Sequence, residues 1–405
     1  MKKYLVGGAV RDLLLKLPIT EKDWVITGSS AQEMLNIGYE QVGKDFPVFL
    51  HPKSHEEYAL ARTERKSGTG YTGFSCHATP VVTIEEDLYR RDLTINAMAY
   101  DMSGNLLDPY NGQRDIKLKL LRHVSHAFYE DPLRVLRVAR FAARFKNMGF
   151  TIAPETLILM QQMVQELQSL SSERVWMETK KALITDSPHI YFKVLRQCGA
   201  LKILFPELHT LFEIFNNNKQ HPNPNSIGDE AMLALSNSAN LNNNLSIRFS
   251  VLCCYLEKKI DIQKQHYNHH HATKKSKVNN LCNRLKIPRN IFKLAKICAK
   301  YYNYLTNLTK LSPENLMTIF TAFNCWRFPN QIEKIICINK SILFETKSIN
   351  YLHSQEQFLH TAFEITKHIK IYDIIQGGFT GSNISKELYV RRLNILKKWH
   401  NNDPF

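Results

Sequence analysis

Residues 4–24 constrain the fold more than any other stretch, because a short apolar strand there runs directly into two glycines and a helix start. Gly7 and Gly8 lack a Cβ, so the backbone can turn sharply and approach a phosphate group closely. Glu21 and Asp23 alternate with Lys22, so both carboxylates project from one face of an extended segment. This combination suits a nucleoside triphosphate carried on Mg²⁺. A tight turn followed by a solvated charged loop is the alternative that these residues leave open.

The charge balance of the chain favours a polyanionic partner. Lysine and arginine number 53 against 37 acids, a formal net charge of +16 over 405 residues, and a surplus of this size is typical of proteins that bind polyanions. The alternative is that the positive surplus only reflects the general Lys- and Asn-rich composition of the chain. The length predicts two or three domains.

Hydropathy and cysteine spacing predict a cytoplasmic protein. The sequence contains no run of 18 apolar residues, so we expect no membrane span. Arg11 and Asp12 interrupt the N-terminal apolar stretch too early for a signal peptide. The eight cysteines form no Cys-x-x-Cys pair, so we expect reduced, mostly buried thiols and neither a zinc ribbon nor a thioredoxin-like site.

Residues 1–115 mix short β-rich runs with short helical stretches, and Ala31–Asn36 is predicted to be a helix. The predicted strands are Tyr4–Val6, Trp24–Thr27, Phe46–Leu50, Tyr58–Ala61 and Val81–Thr83.

Between the last two predicted strands, residues 62–74 combine three glycines with Arg62, Arg65 and Lys66. This composition suggests a mobile basic loop over a site, or equally an ordinary exposed hairpin. Glu57 is a possible further carboxylate facing the same site.

The pattern becomes helical after Glu85. Residues 90–97 combine Arg90, Arg91 and Asp92 with an apolar face. Residues 108–114 are dense in turn formers and are predicted to be a hinge between domains.

A helix rich in arginine is predicted after Glu130, with Asp131 as its N-cap and Pro132 at its first position. Asp131 and Arg134 are three residues apart, close enough to act as one surface pair. A carboxylate accepts from an amino group while a guanidinium donates to the neighbouring ring nitrogen. Such a pair would accept cytosine and adenine and reject uracil and guanine, leaving Arg137 and Arg140 for phosphates. A plain salt-bridged helix face is the alternative.

The rest of the chain is predicted to be mostly helical. Glu155–Leu170 is a predicted helix, and Ser171 is a predicted capping residue for the next one. The Asn-rich stretches 216–225 and 237–244 are predicted loops. A cluster of basic residues suggests RNA contact, although such faces are often only solvated; it comprises Lys274, Lys275, Lys277, Arg284, Arg289, Lys293, Lys296 and Lys300.

Four motifs in this order resemble the class II tRNA nucleotidyltransferases, the bacterial CCA-adding enzymes, and especially their gammaproteobacterial multifunctional form. Each motif alone is weak, but the set is specific, and the resemblance is good over about residues 1–210 and loose beyond. The motifs are Gly7-Gly-Ala-Val-Arg11-Asp12, Glu21-x-Asp23, Arg90-Arg-Asp92-x-x-x-Asn96-Ala97 and Glu130-Asp131-x-x-Arg134-x-x-Arg137-x-x-Arg140.

The resemblance implies an α+β fold. A polymerase-β-like nucleotidyltransferase head with a mixed sheet would occupy residues 1–120. An all-α neck with the nucleotide-recognition helix would span 121–205, and an all-α body and tail that bind tRNA would span 206–405.

The resemblance also implies an activity, the addition of C, C and A to tRNA 3′ ends from CTP and ATP without a template. Glu21 and Asp23 would hold Mg²⁺ and be catalytic, and Asp131 and Arg134 would read the base. Six further residues complete the implied nucleotide site: Gly8 and Arg11 would touch the nucleotide, Arg91, Arg137 and Arg140 would bind its phosphates, and Asp92 would bind the ribose 2′-hydroxyl.

The chain departs from the family in two places. Glu21 stands where the family has aspartate; glutamate keeps the charge and the ligand oxygens, so we expect activity to survive. Cys254 and Tyr255 stand where multifunctional members carry the His-Asp pair of a phosphohydrolase site, and Asp229 replaces an upstream histidine. The three histidines 269–271 cannot point together into one site, so we expect no metal-dependent phosphatase activity.

Two other functions remain open at this point. A poly(A) polymerase would share the head motifs, and a catalytically silent tRNA-binding protein would fit the eroded body region. The intact carboxylates and arginines favour the nucleotide-adding enzyme over the silent one. The oligomeric state stays open.

Overall fold

The computed structural model describes residues 1–42, 48–66, 74–215, 225–258, 276–344 and 346–402. The chain divides into two compact units. The first comprises Met1–Ala182 and Ile190–Leu204, and the second comprises Leu183–His189 and Phe205–Phe405. The predicted domain limit near residue 120 lies inside the first unit and stays a prediction.

The first unit is built on a mixed β-sheet flanked by helices. Its strands are β1 Lys2–Val6, β2 Asp23–Thr27, β3 Glu40–Val42, β4 Val48–Leu50, β5 Glu57–Leu60, β6 Thr63–Lys66, β7 Phe74–His77, β8 Ala99–Asp101, β9 Leu106–Leu107, β10 Leu120–Leu121 and β11 Thr151–Ile152. Among the described residues, seven of these form one sheet in the order β3-β4-β5-β2-β1-β8-β9. Its strands pair antiparallel except β2 with β5. The α+β class is confirmed.

Helices cover both faces of this sheet and make up the rest of the first unit. They are α1 Gly8–Leu14, α2 Ala31–Asn36, α3 Ile84–Tyr89, α4 Gly112–Leu118, α5 Leu133–Arg144, α6 Pro154–Gln162, α7 Ser172–Leu183, α8 Pro188–Gln197 and α9 Ala200–Leu204. Successive side chains on a strand alternate between faces. Val25 therefore packs with Leu88 of α3, while Ile26 packs on the other face with Met34 of α2.

The second unit is helical, as predicted. Its helices are α10 Pro206–His209, α11 Ile227–Leu241, α12 Leu245–Cys254, α13 Lys277–Arg284, α14 Arg289–Lys300, α15 Tyr302–Leu305, α16 Pro313–Ala322, α17 Gln331–Leu343, α18 Ile349–Lys367, α19 Ile371–Gln376 and α20 Ser382–Asn402. None of the helices in the described part of the chain is both long and apolar enough to cross a membrane.

Arg248 is a fully buried cation in the core of the second unit. Its guanidinium donates to the carbonyls of Leu183 and Thr185 at 2.7 and 2.6 Å, and to those of Ala239 and Asn242 at 3.2 and 2.6 Å. These carbonyls lie at or just beyond the C-terminal ends of α7 and α11, where helices leave acceptors without intrahelical donors. Arg248 thus ties the segment 183–189 to this unit.

Most predicted elements of the sheet are confirmed, with shifts of one or two residues at their ends. The strands predicted at 4–6, 24–27 and 58–61 correspond to β1, β2 and β5, and the helix Ala31–Asn36 is α2. Residues 46 and 47 of the strand predicted at 46–50 lie outside the described residues, and 48–50 form β4.

The strand predicted at Val81–Thr83 is wrong. Thr83 instead caps α3, since its side chain accepts from the Glu86 amide while the Glu86 carboxylate accepts from the Thr83 amide. This capping box satisfies two amide donors that the first turn of a helix leaves unpaired.

One predicted loop, the predicted hinge and one predicted helix differ from the structure. Residues 237–241 are helical, as the last turns of α11, while 216–224 lie outside the described residues. The predicted hinge at 108–114 contains the start of α4, where the Asp108 carboxylate accepts from the Gly112 and Gln113 amides at 2.6 and 2.9 Å. The helix predicted over 155–170 ends at Gln162 and continues as a 3₁₀ turn, Val164–Ser169.

Seven described cysteines are free thiols, and six of them are buried. Burial raises the pKa of the Cys198 thiol to about 11, which keeps it protonated. These observations confirm the prediction of mostly buried cysteines for the described part of the chain.

Candidate active site

The sheet places the predicted carboxylates beside the glycine turn. β1 and β2 pair antiparallel with Val6 opposite Asp23, so the turn that follows Val6 adjoins the start of β2. Glu21 and Asp23 are both exposed. They line one cleft of about 580 Å³ together with Gly7 and Gly8.

Glu57 stands opposite Asp23 on the parallel neighbour β5. It does not line the cleft, unlike the other two carboxylates. The basic loop predicted at 62–74 contributes Arg62 to the cleft lining. Residues 67–73 of that loop lie outside the described residues, and its ends pair as the hairpin β6–β7.

Gly7 adopts a backbone conformation that side chains rarely allow. Its φ is 69° and its ψ is −128°. A Cβ added there would lie 2.7 Å from Nη1 of Arg91, closer than any real contact. The glycine therefore both makes the turn into α1 and leaves room for a guanidinium.

Gly7→Ala should lower the activity of this cleft by about a hundredfold, because the methyl group strains the turn and displaces Arg91. Initial rates with saturating substrates measure the effect. Gly38→Ala is the matched control: its φ is also positive, at 89°, but no atom lies within 4 Å of the added Cβ. Equal losses in the two variants would show that backbone strain alone, and not the Arg91 contact, is responsible.

A buried chain of polar contacts joins α1 to the segment after α3. Arg11 donates to Oδ1 of Asp12 at 2.8 Å and to Oδ1 of Asn96 at 2.5 Å. Asn96 in turn donates to Oδ1 of Asp92 at 3.0 Å. Burial lowers the pKa of the Arg11 guanidinium, and the Asp12 carboxylate opposes that shift. Asp12 also accepts from Nη2 of Arg144 at 2.9 Å.

Asp92 is the junction of this network with α5. Its Oδ2 accepts from Nε of Arg137 at 2.6 Å, and its Oδ1 accepts from the Leu93 amide at 2.9 Å. Burial alone would raise the pKa of Asp92, but Arg137 and Asn96 outweigh it and hold the pKa well below its usual range. The carboxylate is therefore ionised at neutral pH.

A second buried carboxylate, Asp87, orients two arginines of the cleft. It lies 2.6 Å from Nη2 of Arg90 and 3.1 Å from Nη2 of Arg91. Burial opposes its ionisation, yet the two arginines lower its pKa. Asp87 precedes these arginines by three and four residues, the spacing of neighbours on a helix surface, so this signal was readable in the sequence.

The predicted surface pair of Asp131 and Arg134 is wrong as a direct contact. Arg134 is buried and donates to the carbonyls of Ala127 and Arg90 at 2.5 and 2.6 Å. The Asp131 carboxylate instead accepts from Nη2 of Arg174 at 2.9 Å. Both side chains nevertheless line the cleft.

Asp131 also caps the arginine-rich helix, as predicted, although α5 begins one residue later than expected. Its Oδ1 accepts from the Leu133 amide at 3.0 Å, and Leu133 is the first residue of α5. Ser171 likewise caps α7, accepting from the Arg174 amide at 3.4 Å.

Two residues of α7 that hold side chains of the cleft were not identified from the sequence. Glu178 accepts from Nε of Arg140 at 2.5 Å, and Arg174 holds Asp131. Arg174 and Glu178 are four residues apart, so one face of α7 meets the arginine face of α5. That spacing was visible, but its partner helix was not.

The cleft carries a large positive charge. Nine arginines and Lys181 line it against four carboxylates. An arrangement of this kind binds and stabilises a polyphosphate, whose oxygens accept charge-assisted hydrogen bonds from guanidinium groups. Every site residue predicted from the sequence lines this cleft: Gly8, Arg11, Glu21, Asp23, Arg91, Asp92, Asp131, Arg134, Arg137 and Arg140.

Glu21 and Asp23 are the residues of this cleft that could hold a divalent cation. Mg²⁺ commonly binds through one or two carboxylates and completes its shell with substrate phosphates and water. The two exposed carboxylates beside the glycine turn fit that pattern. Within the described ranges, no group of three or more metal-ligating side chains occurs.

The region of the predicted phosphohydrolase remnant is in the second unit. Cys254 is buried at the end of α12, and the Asp229 carboxylate accepts from the Ser226 hydroxyl at 2.6 Å as part of the capping box of α11. Histidines 269–271 lie outside the described residues.

Comparisons with known proteins agree with this geometry. The family described as the poly A polymerase head domain matches residues 3–122, and the family described as the probable RNA- and SrmB-binding site of polymerase A matches residues 149–212. A CCA-adding enzyme of Blochmanniella floridana is 67% identical over 404 residues, covering 99% of this chain and 98% of the relative. A CCA-adding enzyme of Blochmanniella pennsylvanica is 64% identical over 406 residues, covering 99% of each.

Solved structures share the fold at lower identity. A CCA-adding enzyme in complex with ATP matches with a TM-score of 0.66 and 22% identity, covering 98% of this chain and 86% of the other. A complex with CTP matches with a TM-score of 0.64 and 24% identity, covering 98% and 87%. The Thermotoga maritima enzyme complexed with tRNA matches with a TM-score of 0.63 and 22% identity, covering 98% and 90%.

Proposed function

We propose, because this chain belongs to the CCA-adding enzyme family, that it adds C, C and A to the 3′ end of tRNA from CTP and ATP. The reaction needs no template, releases pyrophosphate, and serves both synthesis and repair of the CCA end. The observation that carries the proposal is the cleft itself, where two exposed carboxylates and a glycine turn face an array of arginines. The net charge of +16 suits a tRNA partner.

Glu21 and Asp23 would hold Mg²⁺ in this cleft. When bound, the ion lowers the pKa of the attacking 3′-hydroxyl and neutralises charge on the triphosphate. Glu21 replaces the aspartate usual in the family and offers the same oxygens on a side chain one methylene longer. The carboxylates would therefore set where the hydroxyl and the α-phosphate meet.

The arginines supply most of the electrostatic stabilisation. Arg91, Arg137 and Arg140 would donate to the phosphate oxygens, while the amide of Gly8 and the Arg11 side chain would contact the nucleotide. Asp87, Asp92 and Glu178 already hold Arg91, Arg137 and Arg140, respectively, in place. Donors held before the reaction need no reorganisation as charge develops on the leaving pyrophosphate. No covalent nucleophile is required.

Asp131 and Arg134 would read the base. The Asp131 carboxylate would accept from the exocyclic amino group of C or A, and Arg134 would donate to the adjacent ring nitrogen. Uracil and guanine present a carbonyl and a ring N–H in these positions. Their carbonyl would face the Asp131 carboxylate, and their N–H would face the Arg134 guanidinium. Arg174 holds the carboxylate at 2.9 Å, which supports a fixed orientation for it.

Asp131→Asn should therefore raise UTP and GTP incorporation relative to CTP and ATP by about tenfold to a hundredfold, because an amide both donates and accepts. Competition assays with paired nucleotides on tRNA lacking its terminal residues measure the ratio. Asp101→Asn is the control, since among the described residues this carboxylate accepts from its own turn alone, residues 103–105. Unchanged selectivity in Asp131→Asn would contradict the base-reading assignment.

The product pattern tests the proposed function. Purified protein would be incubated with CTP and ATP and with tRNAs that end before, within and after CCA. Addition that stops after one A supports the proposal. A long A tail would support a poly(A) polymerase, for which the matching head-domain family is named, and tRNA binding without any addition would support a silent binding protein.

Two further expectations complete the proposal. We place the enzyme in the cytoplasm, where tRNA processing would supply its substrate. We also expect no metal-dependent phosphatase activity, since Cys254 and Tyr255 supply neither the histidine nor the carboxylate that such a site requires. Clear Ni²⁺- or Mg²⁺-stimulated phosphatase turnover would contradict that expectation.

A further inference from the structure

A row of basic side chains follows the exposed face of α14. Arg289, Lys293, Lys296 and Lys300 recur at spacings of four, three and four residues, which places them on one side of a helix. All four are exposed. At a rise of about 1.5 Å per residue, the row extends along about 16 Å of helix axis. We call these four residues the basic row.

The charge of the basic row is not neutralised by its surroundings. α14 contains no acidic residue, and neither do α12 and α13, which pack against it. The 3₁₀ turn Tyr255–Glu257, which also packs against α14, contributes one acid, Glu257. Within the described part of the chain, no carboxylate lies within ion-pair distance of Lys293, Lys296 or Lys300. A solvated salt-bridged face would show acids between the lysines. This one does not.

An aromatic pocket of about 560 Å³ opens at the C-terminal end of the basic row. Lys296 and Lys300 line it together with three tyrosines, Tyr301, Tyr302 and Tyr304. Tyr301 and Tyr304 stack with ring centroids 5.7 Å apart. Nζ of Lys300 lies 4.9 Å from the centre of the Tyr301 ring, within cation–π range. We call this cavity the tyrosine pocket.

The opposite wall of the tyrosine pocket carries one net negative charge, that of Glu257, because Lys258 and Glu230 neutralise each other. Lys258 pairs with Glu230 at 2.8 Å and lies over the rings of Tyr255 and Tyr302 at 5.7 and 5.6 Å. Glu257 accepts from the Val278 amide at 3.3 Å. The pocket keeps a surplus of one positive charge, because Lys296 and Lys300 of the basic row outnumber Glu257.

We propose that the basic row and the tyrosine pocket form one RNA-binding surface, with backbone phosphates along the row and one unpaired base against the tyrosine rings. Lysines that follow a backbone beside aromatic rings that receive bases are the usual elements of sites for unpaired RNA. A free nucleotide would use the pocket but not a 16 Å row, and an acidic protein would use the row but not the rings. Identification of the RNA as tRNA rests on the proposed function.

The salt dependence of tRNA binding tests the basic row. In the full-length Lys296→Ala/Lys300→Ala variant we expect tRNA affinity at low salt to fall about tenfold. The slope of log affinity against log salt concentration should become shallower by about 1.5, because two phosphate contacts are lost. Lys347→Ala/Lys370→Ala removes the same charge from exposed lysines on other segments of the second unit and should change both quantities far less. Equal effects in the two double variants would overturn the proposal.

Tyrosine substitutions test the pocket. Tyr301→Ala should weaken tRNA binding about tenfold, because base–aromatic contacts are lost, and Tyr301→Phe should restore binding. Normal tRNA binding by Tyr301→Ala would overturn the assignment of the base to the pocket. Loss of CMP or AMP binding in that variant with tRNA affinity unchanged would identify a free-nucleotide pocket and also overturn it.

Kinetics separate this proposal from the proposed function. The row variant should show a raised KM for tRNA with kcat unchanged at saturating tRNA, since the cleft that carries the chemistry is intact. Wild-type protein that binds tRNA with the stated salt dependence but adds no nucleotide would contradict the proposed function and leave the RNA surface supported. A row variant with lowered kcat and unaltered KM would overturn the surface.

Discussion

Replacing Asp23 by asparagine should lower the rate of C and A addition by about a thousandfold or more. The substitution removes one of the two carboxylates that would hold Mg²⁺, and with it the charge that positions the attacking hydroxyl against the triphosphate. Single-turnover rates with CTP and a tRNA that lacks its CCA end measure the loss. The affinity for tRNA should stay nearly unchanged, because the exposed carboxylate contributes no attraction to a polyanion.

Glu57→Gln provides the matched control for this experiment. Glu57 lies opposite Asp23 in the sheet register but does not line the cleft, so the same loss of charge one strand away should leave the rate within about threefold of wild type. Glu21→Asp should likewise retain activity, since it keeps the charge and restores the shorter side chain typical of the family. Retained turnover in Asp23→Asn would contradict the metal assignment.

Asp92→Asn should combine a large loss of stability with a large loss of activity. Asp92 is buried and its carboxylate neutralises Arg137 at 2.6 Å. The substitution removes a charge-assisted hydrogen bond to Arg137, whose side chain is 35% exposed and stays partly solvated, so we expect a loss of about 2 kcal/mol of unfolding free energy. We also expect kcat/KM for CTP to fall about a hundredfold, because Arg137 loses its fixed position. Denaturant unfolding and steady-state kinetics measure the two effects.

The pH dependence follows from the lowered pKa of Asp92. A group whose pKa is lower in the folded state stabilises the protein above its unfolded pKa, about 3.9 for aspartate. That stabilisation is lost only as the pH falls through the lowered folded value. The difference in unfolding free energy between wild type and Asp92→Asn should therefore be constant from about pH 5 to 8. A difference that declines over this range would contradict an ionised Asp92.

Asp115→Asn separates the effect of a buried carboxylate on stability from its effect on activity. Asp115 is also buried and lies 3.2 Å from Nε of Arg122, but it does not line the cleft. This variant should lose stability while its activity below the unfolding temperature stays normal. A comparison of CTP with dCTP then examines the proposed ribose contact: reduced discrimination in Asp92→Asn would support it, and equal losses for both nucleotides would limit Asp92 to holding Arg137.

The sequence predicts local geometry well where one short segment determines it. The glycine turn, the alternation of Glu21 with Asp23 and the capping role of Asp131 all depend on neighbours within three residues, and the structure contains each of them. The failed strand at 81–83 belongs to the same class, because Thr83 and Glu86 have the spacing of a capping box. The β-branched residues favoured a strand, although the capping-box spacing already indicated a helix start.

Contacts between segments that lie far apart in the chain could not be predicted from the sequence. Asp131 pairs with Arg174, 43 residues away, and not with Arg134 three residues away. Which arginine binds Asp131 depends on how α7 packs on α5. Arg134 donates instead to two backbone carbonyls, which no sequence motif identifies. The helical turns at 237–241 have a similar origin, because the buried Asn237 and Ser238 overcome the weak helix propensity of an Asn-rich stretch.

Arg248 limits how this protein can be divided. The chain leaves the first unit at residue 183, returns at 190 and leaves again at 205, so no single cut yields both units whole. A fragment ending at 204 would retain the carbonyls of Leu183 and Thr185 without the cation that satisfies them, and its complement would bury a guanidinium with two acceptors missing. Exchange of the helical half between homologues, whether by recombination or by design, must therefore carry residues 183–189 together with Arg248.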